Sequence, residues 1–341
     1  MTKTGISVSL VQALPGLARA GTDGRTMAKK AKRAVVTGGA GFIGSHLCDA
    51  LLRDGLEVTC IDNFVTGRAV NIEEARENPR FSVIEADVTE PLDVEADMIF
   101  HLASPASPLD YYAMPVETLL ANSLGTLNCL EAAEKLGVRM LMASTSEVYG
   151  DPEVSPQGED YYGHVNPIGP RSCYDEGKRF GEALCKACER MYETQVVIVR
   201  IFNTYGSRMR AHDGRVIPNF VRQALAGEPL TIYGDGNQTR SFCHVSDMVT
   251  GLKGAMNTPD VAGEVINLGN PNEMRVIDLA ARIREKTQTD SGVVFEPLPQ
   301  DDPLQRKPDI TRAMKLLGWA PRVGLEDGLD DVIAWFGENR G

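Results

Sequence analysis

The chain has 341 residues, 43% hydrophobic and 24% charged, which is long enough for one large core and a smaller lobe. A formal net charge of −12 argues against nucleic acid or an anionic membrane as partner, and no apolar run reaches the roughly 18 residues of a membrane helix. Seven cysteines without a framework of spacings suit a reducing compartment, and Cys185-x-x-Cys188, with no second pair, reads as structural thiols with no metal bound.

Residues 1–32 are expected to be a disordered extension. The mildly apolar stretch 6–17 is interrupted by Pro15-Gly16 and followed by Arg19, which argues against a signal peptide, and Met27 offers a later start. From Arg33 onward, strand-like runs at 34–37, 57–61, 81–85, 98–102, 139–143 and 195–201 alternate with helical ones at 44–52, 117–136 and 176–193. This alternation predicts an α/β fold in which residues 33–205 form a Rossmann-like, doubly wound parallel sheet. Beyond about Asn203 the pattern turns irregular, with Gly/Pro-rich connections and helices at 219–226, 276–286 and 328–335. Residues 206–341 are expected to make a smaller C-terminal, substrate-binding lobe that partly threads back onto the sheet.

The first strand ends in Thr37-Gly-Gly-Ala-Gly-Phe-Ile-Gly44, with Gly38, Gly41 and Gly44 in a G-x-x-G-x-x-G pattern that opens the first helix. Such glycines allow a tight turn, close backbone approach to a pyrophosphate, and helix N-terminal N–H groups facing its charge. Asp62, eighteen residues after Gly44 at the end of the second strand, is placed to accept ribose hydroxyls and repel a 2′-phosphate, which favours NAD over NADP. Arg68 follows closely and blunts that preference. Asp87, after the third strand, is placed to reach the adenine.

Tyr174 and Lys178 are four apart and share a helix face, so a phenol and an ammonium can stand side by side. A neighbouring ammonium and a nicotinamide cation would both favour phenolate, making Tyr174 a base. Thr145, at the end of the fifth strand, is positioned to guide a hydroxyl proton to it. Glu147 reads either as a solvated loop carboxylate or as a group holding a water or serving proton chemistry. Between Arg200 and Arg240, six arginines (200, 208, 210, 215, 222, 240) face only Asp213, Glu228 and Asp235, a local basic excess suited to a diphosphate.

From about residue 33 onward the chain resembles the UDP-glucuronate decarboxylases (UDP-xylose synthases) of the extended short-chain dehydrogenase superfamily. The matching stretches include Asp62-Asn-Phe-Val-Thr-Gly-Arg68, His101-Leu-Ala-Ser-Pro-Ala-Ser-Pro108 and Ser144-Thr-Ser-Glu-Val-Tyr-Gly-Asp-Pro-Glu-Val154. They continue with Gly163-His-Val-Asn-Pro-Ile-Gly-Pro-Arg171, Arg200-Ile-Phe-Asn-Thr-Tyr-Gly206, Asp213-Gly-Arg-Val216, Gln238-Thr-Arg240 and Gln300-Asp-Asp-Pro303. The resemblance implies an NAD site lined by Gly41, Phe42, Ile43, Asp62, Asn63, Thr66, Gly67, Asp87, Val88, Leu102, Ser104 and Ala143. It implies chemistry by Thr145, Glu147, Tyr174 and Lys178, with Arg306 as a further candidate, and a UDP-sugar held by Asn203, Arg215, Tyr233, Arg240 and Arg306. It also implies a homodimer paired through the helices at 117–136 and 176–193. The membrane anchor of animal relatives is missing, so a cytoplasmic location is expected.

The implied reaction oxidises C4 of UDP-glucuronate, loses CO2 from the resulting β-keto acid, and reduces the 4-keto sugar to UDP-xylose. Three candidates remain for reprotonating C5: Arg306, Glu147 through water, and Tyr174. Release of the 4-keto-pentose and 4-epimerisation are the alternatives. A 4,6-dehydratase would want an Asp-Glu pair where this chain has Ser146-Glu147, and a catalytically dead NAD-binding protein would have no use for Thr145, Tyr174 and Lys178 together.

Overall fold

A computed structural model describes residues 32–299, 301, 303 and 305–339, so all but Lys32 of the expected extension lies outside the described residues. Seven strands form one sheet: β1 (Arg33–Thr37), β2 (Glu57–Asp62), β3 (Phe81–Glu85), β4 (Met98–His101), β5 (Arg139–Thr145), β6 (Val196–Ile201) and β7 (Val265–Leu268). Their order is β7-β6-β5-β4-β1-β2-β3, with every pairing parallel. Chain order reverses between β1 and β4, the switch point at which open α/β sheets bind ligands.

Helices cover both faces: α1 (Phe42–Arg53), α2 (Pro108–Ala113), α3 (Pro115–Leu136), α4 (Ser172–Tyr192) and α6 (Val245–Asn257), while α5 (Val216–Ala226), α7 (Val276–Thr287) and α8 (Leu325–Glu338) belong to the second half. Because strand side chains alternate, Val36 packs with Leu47, Met248 and Leu252 on one face, and Val35 packs with Ile99, Leu130 and Cys185 on the other. A third cluster, with Phe220, Leu279, Val332 and Phe336, forms the core of the second half. Cys185 and Cys188 are both packed into the α3–α4 face cluster as free thiols.

The boundaries differ from expectation in informative ways. α4 begins at Ser172, not 176, which puts Tyr174 in its first turn. α3 begins at Pro115, since proline is tolerated where the N–H has no helical partner. α6 and β7 fall in the stretch beyond Asn203 whose sequence pattern is irregular. α6 is capped by His244, whose ring accepts from the Ser246 N–H, a start lacking the usual Ser, Thr, Asp or Asn signal. β7 has only four residues. A small sheet joins Thr239–Ser241 to Glu273–Arg275 and to Gln305–Arg306, and makes Arg240 and Arg306 register partners. Among the described residues no helix is long and apolar enough to cross a membrane.

Candidate active site

The β1–α1 turn is shaped by close backbone contacts. Gly38 has φ +70°, and a Cβ on Gly44 would lie 2.1 Å from the Gly38 carbonyl oxygen, so helix and turn meet only without side chains. α1 has no side-chain cap and no acidic residue in its first turn, leaving its N–H groups and positive dipole end for an anion. Asp62 is buried, with Oδ2 accepting from the Ala40 N–H and Oδ1 from the Phe64 N–H, both at 2.9 Å. Burial raises its pKa against the lowering effect of those two bonds. Asn63 donates to Asp87 Oδ2 at 2.9 Å, tying the ends of β2 and β3 together. A glycine cradle, an uncapped helix start and a carboxylate beyond it fit a dinucleotide.

All the expected site residues except Gly67 line the same cavity of about 780 Å³. Gly67 stands behind Asp62, where a Cβ would come 2.6 Å from Asp62 Oδ1. A glycine there leaves room for the carboxylate.

Thr145 ends β5 and caps the following 3₁₀ turn, Ser146–Tyr149, by accepting from the Glu147 N–H at 3.2 Å. Thr145 also stands near enough to the Tyr174 phenol to lower its pKa. Lys178 Nζ donates to the Ala143 carbonyl at 2.8 Å and lies 5.9 Å from the Tyr174 ring centre. Burial pulls the Lys178 ammonium down to about 8. For Tyr174 the expected lowering is not met by the protein's own groups. Burial pushes the phenol up to about 12, outweighing the lowering by Thr145 and Arg215, while Glu147 adds to the rise.

Glu147 is a largely buried carboxylate gripped by two guanidiniums, Arg306 on Oε1 and Arg171 on Oε2. Burial would raise its pKa, but the two cations hold it well below the usual carboxylate range. The solvated-loop alternative is thereby removed. Arg306 also donates to Ser146 Oγ at 3.3 Å and to the Gly150 carbonyl at 3.0 Å. Arg171 stands 3.9 Å from Asp175 Oδ2, and its guanidinium carbon lies over the Tyr111 ring at 5.9 Å. Tyr111 in turn stacks on Tyr174, with ring centres 5.3 Å apart and planes at 7°. Sequence reasoning assigned nothing to Arg171 or Tyr111, although each closely follows or ends a stretch matched above.

The local basic excess is also corrected. Arg200 pairs with Glu182, Arg208 with Asp49, Arg210 with Asp110, Arg215 with Asp213 and Arg222 with Glu228, and Arg200 and Arg222 do not line the cavity. Three of these carboxylates come from outside the stretch, which sequence proximity cannot reveal. Arg215 also sits over the Phe42 ring at 5.7 Å, next to the glycine turn.

A parallel sheet with this glycine turn and a buried Thr-Tyr-Lys group defines an extended short-chain dehydrogenase type of protein. Residues 34–269 match the NAD dependent epimerase/dehydratase family. "UDP-glucuronic acid decarboxylase 1" of Danio rerio is 54% identical over 90% of this chain and 73% of its own length. "UDP-glucuronic acid decarboxylase 2" of Arabidopsis thaliana is 53% identical over 90% and 69%. A UDP-glucuronic acid 4-epimerase from Bacillus cereus, solved with UDP-glucuronic acid and NAD, superposes with a TM-score of 0.82 at 31% identity, covering 90% of this chain and 99% of the other. The chain belongs to the NAD dependent epimerase/dehydratase family and, within it, to the UDP-glucuronic acid decarboxylases.

Proposed function

We infer that the chain decarboxylates UDP-glucuronate to UDP-xylose. The observation that carries this reading is Glu147, held ionised between Arg306 and Arg171 in the cavity that also contains Thr145, Tyr174 and Lys178. A 4-epimerase has no need of a fixed charge cluster beside the C4 chemistry.

NAD is the proposed cofactor, with its pyrophosphate at the start of α1 and its adenosine ribose toward Asp62. Bound there, it would supply a hydride acceptor for C4 that is returned to its starting state within the cycle, and a positive charge that would lower the Tyr174 phenol. Tyr174 Oη takes the C4 hydroxyl proton, with Thr145 Oγ1 hydrogen-bonded between donor and acceptor. Lys178 supplies positive charge beneath the phenol. Once C4 is a ketone, the electrons of the breaking C5–carboxylate bond pass into the carbonyl, giving a C4–C5 enolate and CO2. One proton, drawn from solvent water, is then added at C5, and Tyr174 returns its proton to the C4 oxygen as the ketone is reduced. A carboxylate kept ionised by two cations is a poor proton store, so Glu147 acts by orienting a water or the sugar. Arg215, Arg240, Tyr233 and Asn203 are the proposed grip on the UDP group, with Arg306 toward the sugar.

The further readings are a homodimer and a cytoplasmic setting. Val116, Leu119 and Leu124 on α3 and Phe180 on α4 are exposed apolar side chains on adjacent helices, suited to burial against a second copy. All seven cysteines are free thiols, as a reducing compartment keeps them.

Incubation with UDP-glucuronate, following CO2 and identifying the sugar nucleotide, tests the function. UDP-xylose with one CO2 per turnover is expected. A C4 epimer without CO2 would make the chain an epimerase, and a 4-keto-pentose with stoichiometric NADH would mean the intermediate is released.

A further inference from the structure

We propose that Arg171, together with Tyr111, is a positioning residue that ties the carboxylate serving C5 to the base serving C4. This rests on the decarboxylase reading above. Arg171 meets three groups at once: Glu147 Oε2, Asp175 Oδ2 at 3.9 Å one helical turn further along α4, and the face of Tyr111 at 5.9 Å. The Tyr111 ring then lies flat on Tyr174, with centres 5.3 Å apart. One side chain therefore touches the C5 carboxylate directly and the C4 base through a single intervening ring.

The chemistry asks for arginine. A planar guanidinium donates to carboxylates at its edge while its carbon rests on an aromatic ring, whereas an ammonium on a flexible stem makes one such contact well and not all three. Tyr111 is 1% exposed and its hydroxyl has no hydrogen-bond partner among the described residues, so ring contacts, and not a polar bond, fix its plane. Arg306 cannot substitute for Arg171: it grips the other Glu147 oxygen and is anchored to Ser146 Oγ and the Gly150 carbonyl.

The charged and titratable groups around Glu147 are Arg306 from the Gln305–Arg306 strand, Arg171 just before α4, Asp175 and Tyr174 from α4, and Tyr111 from α2. Burial and Glu147 both raise the Asp175 pKa, while Arg171 and Arg306 lower it; of these two cations Arg171 is the one paired with both acids. Without it, Glu147 keeps a single cation and its carboxyl rises toward the ordinary range.

The test uses the full-length enzyme with UDP-glucuronate, and wild-type CO2 production first checks the function itself, separately from this proposal. Arg171→Gln is expected to lower kcat by about 10²-fold with KM changed less than ~3-fold, the signature of misplaced groups and not of lost binding. Its acid limb of kcat/KM is expected to move up by roughly 1–3 pH units, as for a carboxylate that loses a guanidinium. Arg171→Lys restores the charge, so its acid limb should return toward wild type while kcat stays at least ~5-fold low. Tyr111→Leu should slow NADH formation in a single turnover, and a wild-type rate in that variant overturns the proposal. A wild-type pH profile in Arg171→Gln, or wild-type kcat in Arg171→Lys, overturns the proposal. Should the glutamine variant fail to fold, the lysine and Tyr111 variants decide alone.

Discussion

Arg306 and Glu147 lie 159 positions apart in sequence and meet as a buried ion pair at the end of β5. The parallel pairing of Gln305–Arg306 with Thr239–Ser241 is what carries Arg306 there. Removing one partner of such a pair costs far more than the pair contributes, because the other charge stays buried, here with Arg171 as its remaining cation. Arg306→Gln is therefore expected to lose about 3–5 kcal/mol of stability and to lower turnover sharply. Thermal melts and CO2 release measure the two effects; an unchanged melt would mean that solvent reaches Glu147 freely.

Tyr174→Phe removes one hydroxyl and leaves the ring stacked on Tyr111. Stability and NAD binding should hold while turnover falls by at least ~10²-fold, the usual contribution of a general base. Near-normal kcat would sink the assignment of Tyr174.

Asp62→Asn keeps the volume behind which Gly67 fits and removes the charge. Discrimination against NADP should narrow by about tenfold or more, since repulsion of the 2′-phosphate is lost. NAD should bind somewhat more weakly too, because the weaker acceptor also holds the Ala40 and Phe64 N–H groups. Binding titrations with both cofactors give the ratio, and an unchanged ratio would move specificity to Arg68.

Lys178 carries a pH signature. Burial lowers its folded-state pKa to about 8 from the usual 10.5. Between these values the folded protein has released a proton that the unfolded chain still holds, so this residue makes stability rise with pH across the window. Below about 8 its charge is buried at full cost. The difference in stability between wild type and Lys178→Met should thus change with pH between 8 and 10.5 and be flat below, while turnover is lost throughout. A pH-independent difference would mean the ammonium is solvated.

What the sequence disclosed tracks how local each signal is. β1, the glycine turn and Asp62 lie within thirty residues, and each carries its own composition cue, so the dinucleotide half was legible. Tyr174 and Lys178 are related by helix period alone. The charge cluster was not legible in the same way: Arg171 is 24 positions from Glu147 and Arg306 is 159, and only the folded sheet and α4 bring them together. For the same reason the arginines from Arg200 onward look available for a diphosphate in sequence, although Glu182, Asp49 and Asp110 pair with three of them. α6 was missed because histidine caps it, and β7 because four residues carry little periodicity.

Glu147→Gln separates the possible roles of the carboxylate. The amide keeps the shape but not the charge, leaving Arg306 and Arg171 facing one another without their shared anion. Stability should fall by about 3–5 kcal/mol, because two buried guanidiniums lose their common counter-ion. The pH dependence should change in a defined sense. Despite burial, the two guanidiniums hold the folded-state pKa of Glu147 below its unfolded value, so its stabilisation is present above the unfolded pKa and is lost as pH falls through the folded one. The variant lacks that acid slope. Single-turnover kinetics with UDP-glucuronate, following NADH absorbance and CO2 together, then read the chemistry. If Glu147 serves C5 alone, NADH forms at the wild-type rate and CO2 release or NADH reoxidation slows by roughly 10²-fold. If NADH formation slows equally, Glu147 positions the sugar for hydride transfer as well, as its link through Arg171 and Tyr111 to Tyr174 would allow. If neither step changes, the cluster is structural, and the reading of the chain as a decarboxylase loses the observation on which it stands.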